Sequence, residues 1–410
     1  MIKSKLLSFE DNFSQILNLN YVWDTLKNAV SPIFLYGMGK GADIILNIMN
    51  KKGIVPTGIF ANDEFVRGHN FRGFKVERYS DVCKKYNDFI VVLCYAANNS
   101  KVISRIKEIA NAHPFYAPDL PVVHFQTGTY NIDEYLFDHE FLRKHKTELK
   151  AAYNLLADEQ SRFVFNNIIR FKITGDIKYL SECETEKSEA LGLLKLENDE
   201  TIIDCGAYNG DTILEMLEFT NKNYKQIYAI EPDIKNFTKL KRNLSFLQND
   251  VHFINAAVYD KLSADENIKF TSYSSKSSHI TNFNEENKNI STNKSVDILN
   301  ETSLNVPGEQ ITNNSSGTPL DIDIITLDSL KVRPTLIKMD IEGAELNALN
   351  GSEKTITKYH PKLYICAYHR NEDLFSLPLK IKSLHDGYKI YLRHHPYIPA
   401  FETNIYGIIT

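Results

Sequence analysis

The chain has 410 residues, 43% hydrophobic and 11% aromatic, a composition that excludes disorder of the whole chain and a length that predicts two or three domains. A net charge of −5 and the lack of a long basic stripe exclude a surface that tracks a phosphate backbone, so no nucleic acid partner is expected. Five cysteines without a Cys-x-x-Cys pair fit reduced thiols and a cytoplasmic location, and no apolar run approaches the length of a membrane span.

The front of the chain, 1–125, predicts a small Rossmann-like α/β domain. A strand at Ile33-Phe-Leu-Tyr36 runs through Gly37-Met-Gly-Lys-Gly41 into an apolar-striped helix; further strands follow at 57–60 and 88–95, and a helix from about 100 to 112. Strand alternating with helix implies a parallel sheet with Gly37, Gly39 and Gly41 at its carboxyl edge. That turn fits either a nucleotide or sugar-phosphate site or a purely structural unit. Asp63, with Glu64 and Arg67 nearby, reads as a solvated loop rather than a ribose clamp.

From 132 to 180 the pattern predicts long helices, with Leu142, Leu149, Tyr153, Leu156, Phe165 and Ile169 in apolar stripes, interrupted at Asp158-Glu-Gln-Ser-Arg162 by a helix junction. This helical connector, 126–190, is expected to brace the domain that follows.

The most informative stretch is Thr201-Ile-Ile-Asp-Cys-Gly-Ala-Tyr-Asn-Gly210 with Ile227-Tyr-Ala-Ile-Glu-Pro-Asp233. Two apolar strands each end in a carboxylate, Asp204 and Glu231, at the sheet edge where ligands bind. Gly206 and Gly210 permit the sharp turn into a helix. Glu231 is placed to accept hydrogen bonds from both hydroxyls of a ribose. A dinucleotide loop would carry Gly-x-Gly-x-x-Gly for a pyrophosphate; a Gly-x-x-x-Gly loop preceded by an acid suits the sulfonium of S-adenosylmethionine better. Cys205 is expected to pack rather than react. A helix over 234–244 and a strand over 251–255 follow, and Asn255 leads into the small-residue corner Ala256-Ala257, which either admits a flat adenine or is a tight strand exit.

The run from about 272 to 319 is rich in Ser, Asn, Thr and Lys, which predicts a polar, flexible insertion, a spacer or a lid. A fourth strand carries Asp340 to the sheet edge, with Glu342, Gly343 and Glu345 close behind and Glu345 placed at a helix start. A fifth strand, 362–368, delivers His369 and Arg370 to the same edge. The tail reads as a closing hairpin of 387–392 and 404–409, with His394, His395 and Pro396 in its connection, and adjacent histidines seldom share one ion.

These residues resemble the FkbM-type S-adenosylmethionine-dependent methyltransferases over roughly 191–410. The carriers are Asp204-Cys-Gly-Ala-Tyr-Asn-Gly-Asp-Thr212, Glu231-Pro232, Ile337-Lys-Met-Asp-Ile-Glu-Gly-Ala-Glu345, and the ending from Arg393-His394 through Glu402-Thr-Asn-Ile-Tyr-Gly407. The resemblance implies a seven-stranded, class I methyltransferase domain and O-methylation, commonly of a sugar hydroxyl in a glycan or secondary metabolite. The front domain is similar to Rossmann-like domains beside such enzymes. The resemblance carries Tyr208, Asn209, Asp211, Thr212 and Pro232 into the cofactor set beside Asp204, Gly206, Gly210, Glu231, Asn255 and Ala256. Asp340 and His369 are the candidate bases, with Glu342 beside them. No dedicated metal site is expected, although Asp340 and Glu342 offer hard oxygen ligands of the kind that suit Mg²⁺. A homo-oligomer stays open, as do a nucleotide-sugar oxidoreductase using Gly37-Met-Gly-Lys-Gly41 and a non-catalytic ligand-binding protein.

Overall fold

The computed structural model describes residues 8–120, 136–247, 250–261, 268–272, 279–282, 318–320 and 322–409. The chain divides into two compact units, one of 1–196, 335–337 and 360–410, the other of 197–334 and 338–359.

In the first unit, β1 (Ile33–Tyr36), β2 (Gly58–Ala61), β3 (Asn70–Phe71), β4 (Phe74–Arg78), β5 (Ile90–Leu93) and β6 (Phe115–Tyr116) form a six-stranded sheet in the order β3-β4-β2-β1-β5-β6. All pairings are parallel except the β3–β4 hairpin. β1 and β5 are apolar and buried throughout, as parallel strands covered on both faces must be. The helix Lys40–Lys52 buries Ala42, Ile45, Ile48 and Met49 at helical spacing and ends on Gly53 in the left-handed region. The helix Ser100–Ala112 begins on Asn99, whose side chain accepts from the N–H groups of Lys101 and Val102. The glycine turn has packing reasons: a Cβ on Gly37 would lie 2.4 Å from the Tyr95 ring, and one on Gly41 would lie 2.2 Å from the Cys94 carbonyl oxygen. Asp63 is not merely solvated; its carboxylate accepts from Ser80 N and holds the first turn of the helix Tyr79–Lys85.

The connector is built of short helices, His139–Lys144, Lys146–Leu155 and Lys178–Cys183, around one long one, Glu159–Thr174. The expected junction at Asp158 is its N-cap, the carboxylate accepting from Ser161 N at 2.7 Å. Residues 132–135 lie outside the described part. Two helices that periodicity had not exposed, Phe9–Leu17 and Val22–Lys27, precede β1 and bury Phe13 and Trp23.

The second unit contains β7 (Thr201–Cys205), β8 (Gln226–Ile230), β9 (Val251–Ile254), β10 (Ala257–Val258), β11 (Ile268–Ser272), β12 (His279–Asn282), β13 (Thr318–Leu320) and β14 (Ile324–Ile325). β15 (Leu336–Met339) follows, and then β16 (Lys362–Cys366), β17 (Lys389–His394) and β18 (Thr403–Ile408). Seven strands hydrogen-bond in the order β17-β18-β16-β15-β7-β8-β9, with β7, β8 and β9 parallel and β18 antiparallel to both β16 and β17. This is the mixed α/β, methyltransferase-like sheet that the motifs imply. Most of the polar insertion, 273–278 and 283–317, lies outside the described residues; β12 and β13 at its margins pair antiparallel with β11. Main-chain pairing needs no apolar side chains, so composition alone did not expose these strands. His394 belongs to β17 rather than to the connection; both it and His395 are buried, and His395 engages the Thr185 carbonyl and the Tyr406 hydroxyl. Among the described residues no helix is long and apolar enough to cross a membrane.

Candidate cofactor site

The site is assembled in the second unit where β7, β8 and β15 end. Asp204, the penultimate residue of β7, is fully buried, and the Lys338 ammonium of β15 lies 3.0 Å from its Oδ1 as an ion pair. Burial pushes the Asp204 carboxyl above its usual range, and Lys338 opposes that shift. The same ammonium donates to the Gly206 carbonyl at 2.9 Å. Gly206 is an obligatory glycine: its φ is +77°, and a Cβ there would sit 1.8 Å from the Asp340 carbonyl oxygen. Asp340 N donates to the Cys205 carbonyl, so the two strand exits are in direct contact.

From Gly206 the loop turns toward β8. The N–H groups of Gly206 and Ala207 both donate to the Ile230 carbonyl, and Tyr208 N donates to Glu231 Oε2 at 2.8 Å, with Tyr208 itself at φ +46°. The other carboxylate oxygen of Glu231 accepts from Asp233 N at 2.9 Å. Glu231 is 6% exposed, and burial pushes its carboxyl up to about 7 in spite of two N–H donors. Asn255 Nδ2 donates to the carbonyls of Glu231 and Pro232, which ties the exit of β9 to the exit of β8. Ala256 is buried behind it. Gly210, at φ +89°, packs on Leu244 and stands at the N-cap of the helix Asp211–Phe219, where it has no side chain of its own to offer. Asn209 Oδ1 accepts from Asp211 N, Asp211 accepts from Thr212 N, and the Asn209 carbonyl accepts from Asn243 Nδ2.

At the β15 exit, Glu342 takes φ +54° and Gly343 φ +92°, a left-handed pair that turns the chain into the helix Glu345–Asn350. Backbone strain at a non-glycine residue is concentrated at functional turns. Glu345 is fully buried and accepts from Ile341 N, so it shapes the turn from inside. In the first unit His369 follows β16, buried, with its ring 4.2 Å from that of Tyr368. Cys205 is buried and its thiol is pushed upward by that burial, in keeping with a packing role.

The geometry therefore brings Asp204, Gly206, Tyr208, Asn209, Gly210, Asp211, Thr212, Glu231, Pro232, Asn255, Ala256, Asp340 and Glu342 to adjoining strand exits. One partner went unread in the sequence: Lys338, a charge in the middle of an apolar strand, which is a signal that a buried carboxylate must stand opposite.

The family model described as the methyltransferase FkbM domain matches residues 204–398. The chain is similar in structure to methyltransferase FkbM from Methylobacillus flagellatus KT, at 19% identity over 97% of this chain and 98% of that one, with a TM-score of 0.66. It is also similar to precorrin-6y C5,15-methyltransferase from Geobacter metallireducens GS-15, at 12% identity over 54% of this chain and 87% of that one, with a TM-score of 0.31. Aeropyrum pernix fibrillarin in complex with natively bound S-adenosyl-L-methionine aligns at 10% identity over 54% of this chain and 74% of that one, with a TM-score of 0.29. No curated protein matches. Residues 204–398 form an FkbM methyltransferase domain, and the protein is an S-adenosylmethionine-dependent methyltransferase.

Proposed function

We propose that the enzyme methylates a hydroxyl of a sugar, glycan or related small metabolite, with the catalytic domain at 191–410 and the cofactor held by the residues around the Asp204–Thr212 loop, Glu231-Pro232 and Asn255-Ala256. The observation that supports this reading most directly is Glu231: a buried carboxylate at the β8 exit, already accepting from two loop N–H groups and shaped to take ribose hydroxyls as well. The substrate class rests on the motif resemblance and on the front parallel sheet.

The transfer is an in-line displacement. The acceptor oxygen attacks the methyl carbon, the carbon–sulfur bond breaks with its electron pair left on sulfur, and the hydroxyl proton goes to a base. Alignment of donor and acceptor supplies about 7–11 kcal/mol, and a positioned base adds about 10²–10⁴-fold. Asp340, Glu342 and His369 are the groups we assign to this step. A cytoplasmic location belongs to the same reading, supported by five free cysteines of the kind a reducing compartment maintains.

Calorimetric titration with S-adenosylmethionine and S-adenosylhomocysteine tests the site: binding lost in Glu231→Ala supports it, and unchanged affinity removes Glu231 from the ribose. Asp340→Asn is expected to retain cofactor binding while turnover of a glycan acceptor falls at least 10²-fold; an active variant removes Asp340 from the chemistry. The same assay with a chelator tests Asp340 and Glu342 as cation ligands, since a loss that Mg²⁺ restores would add the ion to the site.

A further inference from the structure

The cofactor loop is held from two sides. On one side β8 takes its N–H groups, through the Ile230 carbonyl and the Glu231 carboxylate. On the other, the Lys338 side chain reaches it from β15: it is 3% exposed, and its ammonium lies 2.9 Å from the Gly206 carbonyl and 3.0 Å from Asp204 Oδ1. We propose that Lys338 is the positioning residue of the cofactor loop, setting cofactor affinity by fixing the Gly206 carbonyl, with Asp204 buried beside it as the counter-charge.

Three observations carry the inference. Gly206 sits at φ +77°, past the end of β7, and its carbonyl accepts from the Lys338 ammonium at 2.9 Å. The peptide cannot relax toward β15, because the Asp340 carbonyl oxygen occupies the place of the absent Cβ. An ammonium buried this deeply requires a counter-charge, and Asp204, fully buried on the neighbouring strand, supplies it. Asp204 on this view acts on the ligand through Lys338, not by contact. The inference rests on the cofactor reading of this loop.

The test separates holding the fold from holding the ligand. Breaking one member of a buried pair is costly, whereas removing both with side chains of similar shape is often nearly neutral. The doubly substituted Asp204→Asn/Lys338→Met enzyme is therefore expected to melt within a few degrees of wild type, yet to bind S-adenosylhomocysteine and S-adenosylmethionine at least tenfold more weakly, by the same factor for both. A folded double variant with wild-type affinity overturns the proposal. A loss confined to S-adenosylmethionine also overturns it, because that would be a charge effect on the sulfonium. If the double variant does not fold, Lys338→Arg, which keeps a cation beside Asp204 but moves its donors relative to the Gly206 carbonyl, decides: weakened binding of both compounds by a folded variant supports the role, and unchanged binding refutes it. Failure of the wild-type enzyme to bind either compound would remove the cofactor reading and this inference together.

Discussion

Glu231 joins three strand ends through its backbone and its carboxylate, and its ionisation is a handle on both stability and binding. Its carboxyl titrates near 7 in the free protein, above the ordinary value of 4.5, because burial disfavours the charge more than two N–H donors favour it. A raised folded-state value means that the native protein holds this proton more tightly than the unfolded chain does. The associated stability is fully present below about pH 4.5 and is lost as pH rises through about 7, at most on the order of 3 kcal/mol. Urea midpoints measured from pH 5 to pH 8 should fall in the wild-type protein and stay flatter in Glu231→Gln; parallel curves would remove this residue from the linkage. Ribose hydroxyls donate to the ionised form, so cofactor binding should strengthen over the same window and release protons, a quantity read from calorimetry in buffers of different ionisation enthalpy. Gly206 is the other sharp residue. An alanine there would meet the Asp340 carbonyl at 1.8 Å while holding a left-handed φ, two costs that add. Gly206→Ala should abolish S-adenosylhomocysteine binding, and a soluble variant with intact affinity would contradict the contact.

At the scale of elements, the helix Glu159–Thr174 shows how a single turn residue serves two ends. Asp158 caps it, and the same carboxylate pairs with Arg393 of β17 at 2.6 Å, while the Ser161 hydroxyl donates to Asp158 and accepts from Leu392 N and Arg393. Loss of an N-cap costs about 1 kcal/mol and of a hydrogen bond to a charged group about 1.5–3 kcal/mol, so Asp158→Ala should lower stability by roughly 2–4 kcal/mol. Chemical denaturation measures it, and a change below about 0.5 kcal/mol would show the pair to be dispensable. The junction was legible as a break in an apolar stripe; its partner was not, because Arg393 lies more than two hundred residues downstream. Likewise β1, β5, β7, β8, β15 and β16 were legible as apolar runs bounded by glycine or charge. The two-residue strands β3, β6, β10 and β14 were not, since so short a run has no period to read.

For the whole molecule, sequence order and compactness disagree in an instructive way. Residues 360–410 belong with 1–196, not with the stretch that precedes them. The outer edge of β17 is met by the connector: Ala157 N donates to the Ile390 carbonyl and Thr185 N to the His394 carbonyl. The connection before β18 exchanges two main-chain hydrogen bonds with Ala97 of the front domain. A fragment beginning at 191 would lay that edge bare, and exposed strand edges pair with other chains. We expect 191–410 expressed alone to aggregate, whereas the full chain stays in solution, as size-exclusion chromatography will report; a monomeric, folded fragment would show that the catalytic domain stands without its brace.

Sequence by itself determined the class of sheet, the strand-end carboxylates Asp204, Glu231 and Asp340, the loop glycines and hence the chemistry, because those features are local and each residue type follows from the turn or strand that holds it. Only the tertiary structure decided that Lys338 stands between Asp204 and Gly206, that the Tyr208 and Asp233 N–H groups share Glu231, and that the tail packs with the front of the chain. Those pairings join residues 23 or more positions apart in all but the Asp233 contact, and one chain read along its length carries no record of which distant groups will meet when the strands come side by side.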